Sequence, residues 1–132
     1  MPIIAENVHW QDLPLVKIRL QHNNNTDTFR FAIDTGANKT LARTYVAEML
    51  GFDLRKVTTK AIVTTGTKNE SAYRITIDAL ELESFAAANI PIYFKSLPSG
   101  IAYIDGLLGL DFFQSVSKKL CFDFKNNEIS LG

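Results

Sequence analysis

The segment Phe31-Ala32-Ile33-Asp34-Thr35-Gly36-Ala37 places the tightest constraint on this chain. An apolar run hands over without a break to an acid, a small hydroxyl and a glycine. A strand that ends by presenting a carboxylate on a short, backbone-controlled loop has this pattern. Thr35 is small enough for a crowded seam and can hydrogen-bond locally. Gly36 lets the backbone turn at positive φ or lets another segment approach closely. Taken alone, Asp-Thr-Gly is an ordinary turn composition, because Asp and Gly favour turns wherever they occur. Its meaning depends on what surrounds it.

Ahead of the acid, Val16, Ile18 and Leu20 alternate with Lys17, Arg19 and Gln21, the period of a half-buried strand. The polar cluster Asn23-Asn24-Asn25-Thr26-Asp27 predicts a turn, and Thr28 to Ile33 a second strand paired back on the first. His22 beside this turn reads as a solvated loop residue. Residues 1 to 12 carry mixed signals and read as an N-terminal extension with Trp10 as a packing residue. Beyond the acid, Val46, Met49 and Leu50 recur at helical spacing and Gly51 stands at a C-terminal cap position. A short helix over Arg43 to Leu50 follows, with Met49 as core filler.

Lys60 to Thr65 is β-branched and alternating, Gly66-Thr67-Lys68-Asn69 punctuates it, and Tyr73, Ile75, Ile77 and Ala79 alternate with Arg74, Thr76 and Asp78. The expectation is a second hairpin with a polar tip, either an exposed turn or a mobile cover over a cleft. The strand pattern continues over Leu80 to Glu83. Phe85 to Asn89 reads as a connection, and Ile90 to Phe94 as a strand in which Pro91 marks an edge or irregularity. Lys95 to Gly100 reads as a loop. Asp111 stands where it can cap a short helix over Phe112 to Val116. Leu120 to Phe124 and Glu128 to Leu131 form a terminal hairpin about Lys125-Asn126-Asn127. The chain is therefore expected to be mainly β with one or two short helices.

A length of 132 residues suits a single domain spanning 1–132. With 46% hydrophobic and 21% charged residues, the composition is that of a globular protein. Fourteen basic residues balance fourteen acidic ones, so no net field draws the chain to nucleic acid or to an anionic membrane. The one cysteine, Cys121, cannot form an internal disulfide, and His9 and His22 stand apart without metal-ligand spacing. No metal or other cofactor is expected, and a reducing compartment fits best. There is no basic region leading into an apolar stretch at the N-terminus, and no run of about 18 apolar residues. The expectation is a cytoplasmic, soluble chain, or a domain of a longer protein.

Two motifs in a fixed order then acquire significance together. Ile33-Asp34-Thr35-Gly36-Ala37 is followed, after the hairpin, by Leu107-Leu108-Gly109-Leu110-Asp111-Phe112-Phe113. In this arrangement, from Leu13 to Leu131, the chain resembles the retropepsin-like (retroviral-type) aspartic peptidases. The resemblance implies a closed β-barrel, an acid-protease half, and an aspartic endopeptidase that hydrolyses peptide bonds with Asp-activated water.

Such chemistry needs two carboxylates sharing a proton, one to activate water and one to protonate the substrate carbonyl. Two acids so close cannot both ionise. The chain contains a single Asp-Thr-Gly, while Asp105, Asp111 and Asp123 lack that context and read as turn or capping residues. The resemblance therefore implies a homodimer that brings two copies of Asp34 together across a two-fold axis.

Carried over by position, Asp34 is the expected catalytic acid/base, and Thr35 fixes the two loops against each other. Gly36 presents backbone to substrate, with Ala37 completing the loop. Thr65, Gly66 and Thr67 lie on the substrate-covering flap. Leu107, Leu108 and Gly109 support the loop from below. Ala37, Ile101 and Ile104 are candidate pocket lining, and Glu128 to Leu131 is the candidate strand for intersubunit pairing. The expected partners are a second copy and a peptide or protein substrate. The alternative is a non-catalytic peptide-binding or scaffolding module of the same fold, since fold does not fix function. A zinc or nucleophilic hydrolase would need a paired-His or Ser-His arrangement that the chain lacks.

Overall fold

The structure, a computed structural model, describes residues 1–65, 67–101 and 103–132. Its strands are β1 (Ile3–Ala5), β2 (Leu15–His22), β3 (Asn25–Ile33), β4 (Leu41–Ala42), β5 (Lys60–Thr65), β6 (Lys68–Leu82), β7 (Phe85–Phe94), β8 (Gly106–Leu108), β9 (Leu120–Asp123) and β10 (Glu128–Leu131). Two short helices, α1 (Thr44–Met49) and α2 (Leu110–Val116), follow β4 and β8.

Alternation in β2 is realised residue by residue: Val16, Ile18 and Leu20 are buried, and Lys17, Arg19 and Gln21 are exposed. β3 pairs antiparallel with it from His22↔Asn25 to Leu15↔Ala32. The strand thus reaches back into the polar cluster, and the turn contracts to Asn23 and Asn24. Asn23 takes φ 53°, a left-handed conformation that asparagine tolerates better than most residues.

Six strands close a barrel in the order β2, β3, β8, β4, β7, β6, with β6 returning to β2 through Arg19↔Glu81, Leu20↔Leu80 and Gln21↔Ala79. β5 hangs outside this ring on the far end of β6. The barrel is filled by Phe31, Phe94, Ile18, Leu20, Ile77, Leu80, Ile92 and Leu108, all fully buried. Phe112 of α2 packs into the same core. Burying each such side chain contributes about 1.5–3 kcal/mol. The fold is mainly β, a closed six-stranded barrel with two short helices.

Several expectations are corrected by packing. Met49 is 53% exposed; the inward stripe of α1 is Val46 and Ala47 with Leu50 just beyond it, so the small Ala47 faces the core instead. The helix ends as Gly51 predicts, at φ 94°, with the Gly51 N–H donating to Glu48 O and the Phe52 N–H to Ala47 O. Phe85 to Asn89 is strand rather than connection. Ala86, Ala87 and Ala88 pair with Glu81, Leu80 and Ala79, a long-range ladder that overrides their weak local preference. Pro91 sits opposite Thr76. The N–H of Tyr93 and Lys95 point toward the β4 side, to Thr40 O and Ala42 O, so the missing N–H of Pro91 would face that side before β4 pairing begins.

His22 is not a solvated loop residue. It ends β2, its ring lies 4.6 Å from that of Phe52, and its side chain is 20% exposed. Its buried Nδ1 lies 3.3 Å from Asp78 Oδ1 but makes no hydrogen bond.

The terminal strand also differs. β10 lies between β1 and β9, so both of its edges are occupied within the chain and it has no edge to offer a second copy. The N-terminal extension supplies the covering strand. Trp10 secures it, donating from Nε1 to Asn127 Oδ1 at 2.9 Å and packing edge-on against Phe122 and Phe124. Among the described residues, no helix is long and apolar enough to cross a membrane.

Candidate active site

β3 delivers Asp34 by running parallel to β8, with Phe31↔Gly106, Ala32↔Leu107 and Ile33↔Leu108 in register. The ladder carries on one step into the loop, where the Asp34 N–H donates to Leu108 O at 3.0 Å. The loop then folds about its own acid: the Gly36 N–H donates to Asp34 Oδ1 at 3.0 Å, and the Ala37 N–H to Asp34 O at 3.1 Å. A Cβ at Gly36 would stand 3.2 Å from that carboxylate oxygen. Close approach, not positive φ, is what this glycine provides. Asp34 and Ala37 are half-buried, while Thr35 and Gly36 are exposed.

Beneath the loop, the second motif forms its seat. A Cβ at Gly109 would lie 2.5 Å from Lys39 O and 2.9 Å from Ala37 O, so only glycine permits this contact. The Leu110 N–H donates to Ala37 O at 2.9 Å, and the Asp111 N–H to Asn38 O at 3.2 Å. Thr40, fully buried, completes the join. Its N–H and hydroxyl donate to the two oxygens of Asp111 at 3.1 and 2.7 Å, and its Oγ1 accepts the Gly109 N–H at 3.2 Å. Sequence reasoning missed Thr40. Its only signal was a hydroxyl between the apolar Leu41 and the loop.

The other acids do structural work. Asp111 accepts the Phe112 N–H at 2.8 Å, within the first turn of a helix that starts at Leu110, slightly earlier than expected. Asp123 accepts the N–H groups of Lys125 and Asn126, and the Asn126 side chain holds its carboxyl below the usual carboxylate range. Asp105 accepts the Arg30 N–H at 2.8 Å and the Tyr45 hydroxyl. Burial, reinforced by the hydrogen bond to Asp105, pushes the Tyr45 phenol up to about 12. Arg43, also missed, clamps the loop after β7: Nε donates to Ile104 O at 2.7 Å, Nη1 to Leu97 O at 3.1 Å and Nη2 to Ile101 O at 2.8 Å.

Asp34, Gly36 and Ala37 border a cleft of about 460 Å³. Leu97, Pro98 and Ile101 form one wall, and Thr64 and Glu70 reach it from the β5–β6 hairpin. An adjoining hollow of about 450 Å³ shares Gly36, Ala37, Leu41 and Thr64 and continues under Ala61, Ile62 and Val63. Ala37 and Ile101 thus line the cleft as expected. Ile104 does not: it is fully buried in the core, where its carbonyl receives Arg43. Of the expected hairpin-tip residues, Thr65 pairs by its backbone with Lys68, Thr67 is exposed, and Gly66 lies outside the described residues. Thr35 opens on the other side of Asp34, onto a hollow shared with Trp10, Leu13 and Phe124.

The barrel and the two joined motifs define a class, and comparison with known proteins agrees with it. The model of a family described as aspartyl protease matches residues 16–112. The chain belongs to that family. Among solved structures it is similar to a retropepsin-like aspartic protease from Rickettsia conorii, with 26% identity and a TM-score of 0.68 over 97% of this chain and 87% of that one. No curated protein sequence matches it.

Proposed function

We propose that this chain is an aspartic endopeptidase, one peptidase domain over residues 1–132, whose site is completed by a second copy. The observation that carries the reading is the state of its acids. Asp34 stands half-exposed at the cleft with exposed Thr35 and Gly36 beside it, whereas Asp105, Asp111 and Asp123 are engaged by neighbouring groups. Glu70, the other acid at this cleft, is paired with Lys95 and lacks a Thr-Gly context, so a chain with a single Asp-Thr-Gly needs a partner for chemistry that uses two.

In the dimer, one Asp34 takes a proton from water as the water attacks the peptide carbonyl, and the carboxyl of the partner's Asp34 protonates the carbonyl oxygen. The tetrahedral intermediate then collapses, with a proton passing to the leaving amine. Thr35 holds the two loops together and Gly36 offers backbone to the substrate. The hairpin tip, with Thr65, Gly66 and Thr67, closes over the peptide and excludes bulk water. With β10 enclosed by β1 and β9, this reading puts the association at the face around Thr35, where Leu13 and Phe124 are 38% and 68% exposed.

Asp34→Asn tests the reading. Peptide cleavage should fall by about 10⁴-fold, with circular dichroism and sedimentation unchanged. Mixing wild-type and Asp34→Asn chains should lower activity faster than the wild-type fraction, because mixed dimers are inactive. Cleavage that survives the substitution excludes the mechanism.

A further inference from the structure

Besides Asp34, the charged residues bordering the cleft are Glu70, on the returning strand of the hairpin, and Lys95, just after β7. Their side chains meet at 2.5 Å, Lys95 Nζ to Glu70 Oε2, and Nζ also donates to Ser96 O at 2.8 Å. The two partners are not equally accessible. The Lys95 side chain is 6% exposed and that of Glu70 39%. An ammonium so deeply placed is held by its acceptors and hidden behind them. A carboxylate offers about four acceptor positions across its two oxygens, so one such group can accept from several donors at once.

We propose, on the endopeptidase reading above, that Glu70 anchored by Lys95 is a specificity-determining group, and that it selects substrate side chains bearing hydrogen-bond donors, basic ones first and amides next. The neighbouring wall of Leu97, Pro98 and Ile101 is apolar, so this pair makes one end of the cleft chemically distinct. A substrate lysine or arginine gains a charge-assisted bond to Glu70. A leucine there strips water from the carboxylate and returns no hydrogen bond. A glutamate meets like charge. Lys95 holds the Glu70 carboxylate in place, and through it the hairpin strand, so it acts as a positioning residue.

The experiment measures binding, so that it reads independently of turnover. Non-hydrolysable peptides with a reduced central bond, identical except for Lys, Arg, Gln, Leu or Glu at one position, are scanned position by position against the wild-type protein. At one position, Lys, Arg and Gln should bind about tenfold tighter than Leu, and Glu should bind weakest. Glu70→Leu combined with Lys95→Met should reverse the order in favour of Leu. Glu70→Gln, which keeps shape and an acceptor for Lys95, should retain the preference for Gln and lose that for Lys and Arg, a split that a merely structural role would not produce. Thermal melting establishes that each variant folds, and Glu70→Gln decides the matter if the double variant does not. The same rank order in wild type and variants, equal binding of Glu and Lys, or no binding of any peptide overturns the proposal. Cleavage of the ordinary peptides by the same preparation reports on the endopeptidase reading separately.

Discussion

Of the regions that border the cleft, the Asp34 loop and the β5–β6 hairpin differ most. The loop is seated on β8 through the Asp34 N–H, pressed against Gly109 at a distance that admits no side chain, and tied through Thr40 to Asp111. The hairpin projects past the barrel with Ile62 70% exposed, and among the described residues of its paired segments, Lys60–Thr65 and Lys68–Tyr73, Val63 and Ala72 are the ones deeply covered. It is held by its own ladder, by the Thr64–Asn69 side-chain bond and by Glu70 on Lys95. The difference teaches how one fold reconciles two demands. On the proposed reading, a reacting carboxylate must be placed within fractions of an ångström, whereas a cover over a peptide must be able to yield. Many buried bonds serve the first demand and few serve the second.

Substitutions can break this contrast. Gly109→Ala should have the largest effect, a loss of about 3 kcal/mol in chemical denaturation, because the new methyl meets backbone oxygen rather than a movable side chain. A loss under about 1 kcal/mol would mean that the loop is pliable after all. Thr40→Val preserves shape but leaves the Gly109 N–H without its acceptor and takes from Asp111 Oδ1 one of its two donors. The expected cost is about 2 kcal/mol by the same measurement, and a neutral result would remove Thr40 from the support. Ile62→Ser on the hairpin should lie within about 0.5 kcal/mol of wild type in thermal melting. A larger loss would show that the hairpin is anchored more firmly than its exposure indicates.

How much of this was legible beforehand varies with the range of the interaction. The Asp34 loop could be picked out from the sequence because a tight acid-bearing turn admits few residue types, and the Gly109 segment through the family resemblance. Thr40 and Arg43 could not, since a threonine or arginine in a polar stretch looks the same whether it is solvated or bonded to distant carbonyls. Lys95 was read as part of a loop; its ammonium is buried on Glu70 of the hairpin, a contact between distant segments that neither local stretch announces.

By itself the sequence determined the alternating strands β2 and β6, the end of α1 at Gly51, the glycine-bearing motifs and a mainly β fold, because period and turn chemistry are properties of neighbouring residues. The tertiary structure alone decided the closure of β6 onto β2, the strand through Ala86–Ala88, the enclosure of β10 by β1, and the outward position of Met49. Each of these depends on surfaces far apart in the chain meeting in one register, and a local pattern carries no record of what will lie across from it.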